Sequence, residues 1–360
     1  MYFRLVYSGL FAMTVLLVCC VDKRKSTFLN VDSHFTSQSF QEKKLLKGTK
    51  LELGTLLAPV HVFFHDSLLF VTKNGLESNV YVFNSNDNYL PLGSIIPNGM
   101  GPDELLSVAR MDFSQDGTFW AHDITTAHVK RFELIMDKDT VYAIARNNIS
   151  LKGPVINAFY LDTDLIGTTT QEIKPLSRFY VYDAQGNRIN EAGDYPTYNR
   201  DIPATAKVEV YNGWVSVHPS YNKFVLVYEF TDLIEFYDSD FKLLKRVQGP
   251  HNFLPEFELK QRGNSVAMVR RFDLTRFAYQ RAVSNDSMIF LLYANGETVS
   301  KEDDPEEAAH FNFIVAIDWE GNPLYLFELD HAVISIAVDW KKRIIYGLNR
   351  IESEVYAFSF

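Results

Sequence analysis

The stretch IIPNGMGPDELLSV, Ile95 to Val108, sets Gly99, Gly101, Pro102, Asp103 and Glu104 between two apolar runs. Glycines ahead of a helix can cradle phosphate, because free backbone N–H groups then point at the anion. That chemistry also needs a Gly-Lys-Ser/Thr continuation inside a strand–helix unit, which is missing here, and the two acids would repel phosphate. The string reads instead as a structural corner. Its glycines permit positive φ, Pro102 suits the first position of a short helical turn, and Asp103 and Glu104 lie near the positive end of that turn.

Metal or acid–base chemistry has its candidates in His122, Asp123, His128, His218, His310 and His331. None follows the HExxH spacing, and His122 and His128 straddle a turn, so each reads as a strand-end or surface imidazole. The run KEDDPEEAAH, Lys301 to His310, holds five carboxylates, but calcium loops alternate oxygen ligands around a tight glycine turn, and this run has Pro305 and no glycine. It reads as a solvated insertion. Tyr195, Tyr198, Tyr211 and Trp214 crowd one connection and could stack on a sugar or grip a peptide, although aromatics this frequent in a β protein pack its elements together first. With no G-x-S-x-G elbow and no cysteine beyond Cys19 and Cys20, nucleophilic catalysis lacks a candidate. No catalytic residue, metal ligand or cofactor site is assigned.

The elements that position these residues are β throughout. Beyond residue 49, runs of Val, Ile, Phe and Tyr are bounded by Asn, Asp, Gly and Pro, and long helix-period stretches are missing. A unit recurs: an apolar strand, a tight polar turn, a second apolar strand, a gap, and an aromatic-rich strand ending in Asn or Asp. Its first copy is VFFHDSLLFV with NVYVFNSNDNYLPLGSI, and its last is VISIAVDWKKRIIYGL with EVYAFSF. The first turns of the six copies fall at Asp66, Asp116, Thr163, Asn222, Asp286 and Lys342, 47 to 64 residues apart. Each span suits a four-stranded antiparallel blade that can bury its faces only by stacking radially on its neighbours. The expected fold is all-β, a six-bladed β-propeller over residues 49–360. The last copy stops after three strands, and an open edge invites aggregation. TKLELGTLL, about 49–57, alternates apolar with polar residues and is expected to supply the missing strand and close the ring.

Corner-like punctuation recurs at the same phase, as NEAGDYPTYNRDIP after the third copy and QGPHNFLPEFEL after the fourth.

The N-terminus carries an address. Arg4 gives a weak positive start and Leu5 to Val18 is uncharged, too short for a comfortable membrane span and right for a signal peptide. Cys20 follows Leu17, Val18 and Cys19 as in a bacterial lipobox, with Cys19 the alternative. Acyl chains on that cysteine would hold the protein at a membrane. The expected organisation is a lipoprotein-type signal peptide over 1–19, a polar tether over 20–48, and the propeller. With Arg4 removed, 45 acids face 34 bases, which opposes binding to nucleic acid. The 340 residues after Cys20 hold no cysteine, which excludes a disulfide framework.

The G-x-G-P-x-E-L string at Gly99 to Leu105, in a lipoprotein-like chain with six β repeats, resembles the TolB-like six-bladed propeller lipoproteins of Bacteroidota over roughly residues 49–360. The resemblance implies a fold and an exported address and supplies no catalytic residues. In such lipoproteins an acidic run after the lipidated cysteine marks cell-surface export. Here Asp22 is followed by Lys23, Arg24 and Lys25, which favours the periplasmic face. The expected role is that of a non-catalytic binding or scaffold module for a protein, peptide or glycan partner, in a monomer. The alternative is a metal-assisted hydrolase or lyase of the NHL or gluconolactonase-like type, with its site at the mouth of the channel.

Overall fold

A computed structural model of the chain describes residues 28, 30–73, 78–114, 116–153, 155–162, 164–168, 176–271, 274–298 and 311–360. Cys19, Cys20, His310 and the acidic run from Lys301 lie outside the described residues.

Six antiparallel sheets form a closed ring. Blade one spans Pro59 to Pro97, blade two Arg110 to Ser150, blade three Asn157 to Ala192, blade four Gly213 to Gln248 and blade five Tyr279 to Leu329. Blade six takes Ser335–Asp339, Ile344–Asn349 and Glu354–Ser359, and its fourth strand is Gly48–Lys50. That strand pairs antiparallel with Tyr356–Phe358, Lys50 opposite Tyr356, and Leu51 N donates to the Val355 carbonyl at 2.9 Å. The ring therefore closes as expected, but on a shorter segment. Gly54 at φ +73° turns the chain away, so residues 52–57 leave the sheet.

A local device repeats from blade to blade. At the end of the third strand Asp183, Asp238 and Asp318 each accept backbone N–H groups from the second and fourth residues beyond, at 2.7 to 3.0 Å. This side-chain turn explains why the aromatic strands of blades three, four and five end in Asp. In blades one to five the pairing of the third and fourth strands slips by one residue, a bulge that bends the outer strand.

The core lies between blades. Phe159, Phe179, Phe224 and Tyr237 fill the seam of blades three and four, and Phe290, Phe327, Ile345 and Phe358 that of blades five and six. Tyr195 and Tyr211 are buried in the first of these seams, where Phe28 packs against Tyr198 and Tyr211 at 5.5 and 6.3 Å between ring centroids. These three tyrosines act in packing. Trp214 does not belong with them: it faces the channel.

The segment read from sequence as a tether is part of the fold from Phe28 onward. Ser33–His34 adds a parallel fifth strand to blade four, and Glu42–Leu46 adds one to blade five, so the chain straps two successive blades before closing blade six. Phe28, Phe35, Phe40 and Leu46 anchor it, each nearly buried. Their spacing follows neither the strand nor the helix period, and edge pairing to residues more than 200 positions away has no local signature.

Candidate functional site

The first strand of every blade lines the axis. Together they enclose a cavity of about 440 Å³. At the end where the first and second strands of each blade turn, its mouth is ringed by His65, Ser114, Asp162, His218, Tyr221 and Trp340. Toward the other end stand Arg110 and Arg281, from blades two and five. Both cross the channel between non-neighbouring blades. Arg110 Nη1 donates to the Val215 carbonyl of blade four at 3.0 Å, and Arg281 Nη2 donates to His61 Nδ1 of blade one.

The two guanidiniums differ in their partners. Arg110 Nε sits 2.9 and 2.8 Å from the two oxygens of Asp112, so its charge is matched. Among the described residues Arg281 forms no ion pair with a carboxylate; it lies 4.2 Å above the Trp214 ring and is 9% exposed. Its Nε and the Trp214 indole Nε1 are buried donors without a hydrogen-bond partner. A buried donor left unsatisfied costs about 1–3 kcal/mol, more for a charged group. Burial, and then the charge of Arg110, push the Arg281 guanidinium down to about 9. Burial and the Arg281 charge likewise hold His61 well below the usual imidazole range, so it stays neutral and can accept from Arg281. The cavity therefore has a mixed wall, apolar and aromatic around Trp214 and polar at the mouth, in which Arg281 is matched by no acid among the described residues and two side chains carry buried donors lacking an acceptor.

The sequence-based candidates do not assemble there. His122 is 2% exposed, both its ring nitrogens lack partners, and burial followed by the Arg110 charge lowers it to about 4. Asp123 is buried as a turn anchor, accepting from Leu106 N, Ser107 Oγ, Thr125 N and Thr126 Oγ1 at 2.7 to 2.8 Å. His128 opens the next strand, His218 bonds Ser220 at the mouth, and His331 stacks on Tyr356 beside Asp330. Among the described residues no three His, Cys, Asp or Glu side chains form a group that could hold a metal.

Gly99, Gly101, Pro102 and Glu104 lie between the outermost strand of blade one and the innermost of blade two. Neither glycine has positive φ, contrary to the expectation from sequence. Space is what excludes a side chain. A Cβ on Gly99 would lie 2.1 Å from Glu104 Oε2 and one on Gly101 2.9 Å from the same carboxylate, which accepts from Gly101 N at 2.7 Å. Residues 101–103 form a turn rather than a helix, closed by Glu104 N on the Gly101 carbonyl. Lys130 of blade two, 3% exposed, donates Nζ to the carbonyls of Gly101, Pro102 and Glu104 at 2.8 to 2.9 Å.

Sequence reasoning missed Arg110, Arg281 and His61, and grouped Trp214 with aromatics that pack the elements together. A signal existed: VARMDF and RAVS each set an arginine in an innermost strand, where a charge must face either the seam or the axis. Arg178 is another buried guanidinium with unpartnered nitrogens, but it is packed among Phe179, Tyr195 and Tyr228 in the seam and is not part of the channel wall.

The ring of six blades agrees with the family model for TolB-like 6-blade propeller-like proteins, which matches residues 36–341. The chain belongs to this TolB-like family. Among solved structures it is similar to a Bacteroides fragilis protein described as exported, at 11% identity and TM-score 0.53, over 88% of this chain and 98% of that one. A member of the DUF4221 family from Bacteroides vulgatus is similar at 11% identity and TM-score 0.56, over 88% of this chain and 96% of that one. Likeness at this identity establishes the shared fold. No curated protein matches the sequence. The family match begins at residue 36, within the strap, and so takes in the segment that pairs with the outer edge of blade five.

Proposed function

We propose that this TolB-like propeller is exported, anchored through acylated Cys20 at the periplasmic face of a membrane, and acts as a binding module for a protein, peptide or glycan, with the axial channel as its binding site. The observation that carries the reading is the channel itself: a cavity of about 440 Å³, lined by apolar, aromatic and polar side chains, two of which, Arg281 and Trp214, carry buried donors without a hydrogen-bond partner. Cavities of this size with a few oriented polar groups are characteristic of ligand sites. The signal-like N-terminus with its paired cysteines supports the address. No helix among the described residues is long and apolar enough to cross a membrane, so attachment in this reading falls to the lipid.

The test is a pull-down from membranes with the full lipidated chain, set against a Ser284→Trp variant that fills the channel. A partner enriched by the wild type and lost by the variant is the expected result. Equal recovery of every species by both proteins would remove the channel from the function. In parallel, Cys20→Ala should move the protein out of the membrane fraction, and continued membrane association would overturn the anchor.

A further inference from the structure

The geometry of the channel floor points to a specific ligand chemistry: a carboxylate borne on an apolar body, received by the Arg281 guanidinium and the Trp214 indole N–H, whose unpartnered donors are closed to solvent in this structure and must turn toward the entering ligand. This inference rests on the reading of the channel as a binding site and names what enters it.

Three observations converge. First, Arg281 is nine-tenths buried, lines the cavity, and has a neutral imidazole rather than an acid as its partner. A buried cation without a counter-charge is a standing demand for an anion. Second, Arg281 and Trp214 offer donors only, since neither a guanidinium nor an indole N–H can accept, and the two groups lie against each other with the guanidinium over the indole. A carboxylate has lone pairs enough for both, and charge-assisted bonds of this kind are the strong ones. Third, the charge around the cavity sets how much negative charge is welcome. Arg110 is already matched by Asp112, and Asp162 stands at the mouth. One unmatched positive charge below and an acid above favour a monoanion over a phosphate or a polyacid. The wall near the floor, with Val62, Val215 and Ile336 beside Trp214, is apolar and suits a hydrocarbon or aromatic body.

The carboxylate could belong to a free organic acid or to the C-terminus of a peptide, and two arms of one experiment separate them. The detergent-solubilised full chain is titrated calorimetrically with phenylacetate and its neutral isostere phenylacetamide, and with N-acetyl-Ala-Phe carrying a free or an amidated C-terminus. The expected result is at least a tenfold preference for the carboxylate in one arm, which also identifies the source. It is accompanied by a shift of the Trp214 indole N–H resonance, assigned by its loss in Trp214→Phe. Arg281→Met should abolish the preference while melting no lower than wild type. Trp214→Phe, which removes only the indole donor, should weaken carboxylate binding several-fold.

Equal binding of acid and amide in both arms, or an Arg281→Met protein that keeps the preference, would overturn the inference. Should Arg281→Met fail to fold, unchanged carboxylate affinity in Trp214→Phe would overturn it equally. The broader reading is judged separately. If Ser284→Trp abolishes partner capture while acids and amides bind alike, the channel binds something other than a carboxylate. If neither capture nor titration depends on the channel, both readings fall.

Discussion

Lys130 and Arg281 are both buried cations in a ring of apolar seams, and they are treated in opposite ways. Lys130 sits beneath the corner between blades one and two, and its Nζ holds three backbone carbonyls at 2.8 to 2.9 Å. Arg281 stands in the channel with one neutral partner and a bare Nε. A buried polar group that is fully bonded fixes a conformation, whereas one left wanting is either a cost to stability or a place kept for a ligand. What separates these two outcomes is an opening. Arg281 lines a cavity that reaches solvent, and the corner around Lys130 is closed by its own chain.

The strongest way to break the comparison is to remove the satisfied cation. Lys130→Met keeps much of the stem and deletes the ammonium, leaving the carbonyls of Gly101, Pro102 and Glu104 short of their buried donor. A loss of about 4 kcal/mol is expected, since three buried carbonyl acceptors lose their shared donor at about 1–3 kcal/mol each, offset in part by the desolvation of the ammonium that no longer has to be met. Urea denaturation would measure it. A loss below about 1 kcal/mol would mean that water replaces the ammonium and that the corner is not held from beneath.

His122 sharpens the contrast from another side, because it is buried and unpartnered yet does not line the channel cavity. Its folded-state value of about 4, set by burial and then by Arg110, lies below the 6.5 of a free imidazole. Between those two values the unfolded chain binds a proton that the folded one does not. Stability is therefore full above pH 6.5 and falls as the pH drops toward 4, by about 3 kcal/mol for this one group. His61 is pushed down in the same direction and adds slope of its own. His122→Leu should flatten the acid limb of the stability–pH curve by one proton without lowering stability at pH 7. An unchanged limb would show that the imidazole finds a proton partner in the folded state.

What the sequence disclosed follows the same division. The blades were legible because local devices repeat from copy to copy, such as the Asp183 and Asp318 turns that close the third strand. The corner was legible as a corner, but its cause was not. Positive φ is a property of one residue and can be guessed from glycine, whereas the approach of Glu104 to Gly99 depends on a folded side chain. The strap escaped notice because Phe35 and Leu46 take their partners from blades four and five, far along the chain. The channel floor stayed hidden because Arg281 meets His61 only once six blades have closed. Local pairing can be read in advance; coincidence at an axis cannot.

The smallest expected effect lies in the corner and tests whether crowding, rather than backbone conformation, selects its glycines. Gly99→Ala places a methyl group 2.1 Å from Glu104 Oε2, closer than any real contact, so the Glu104 side chain must swing away and release Gly101 N. Because a flexible carboxylate can move, the cost is the lost hydrogen bond and some repacking, about 1 kcal/mol. Glu104→Ala alone loses the same bond and should cost a similar amount. In the double variant the methyl group meets no carboxylate, so its loss should equal that of Glu104→Ala alone, leaving a coupling of about 1 kcal/mol between the two sites. Strain at Gly99 would instead persist without Glu104, and the two losses would add. Chemical denaturation of the four proteins distinguishes these outcomes, and additivity would return the corner to a backbone explanation that its φ values contradict.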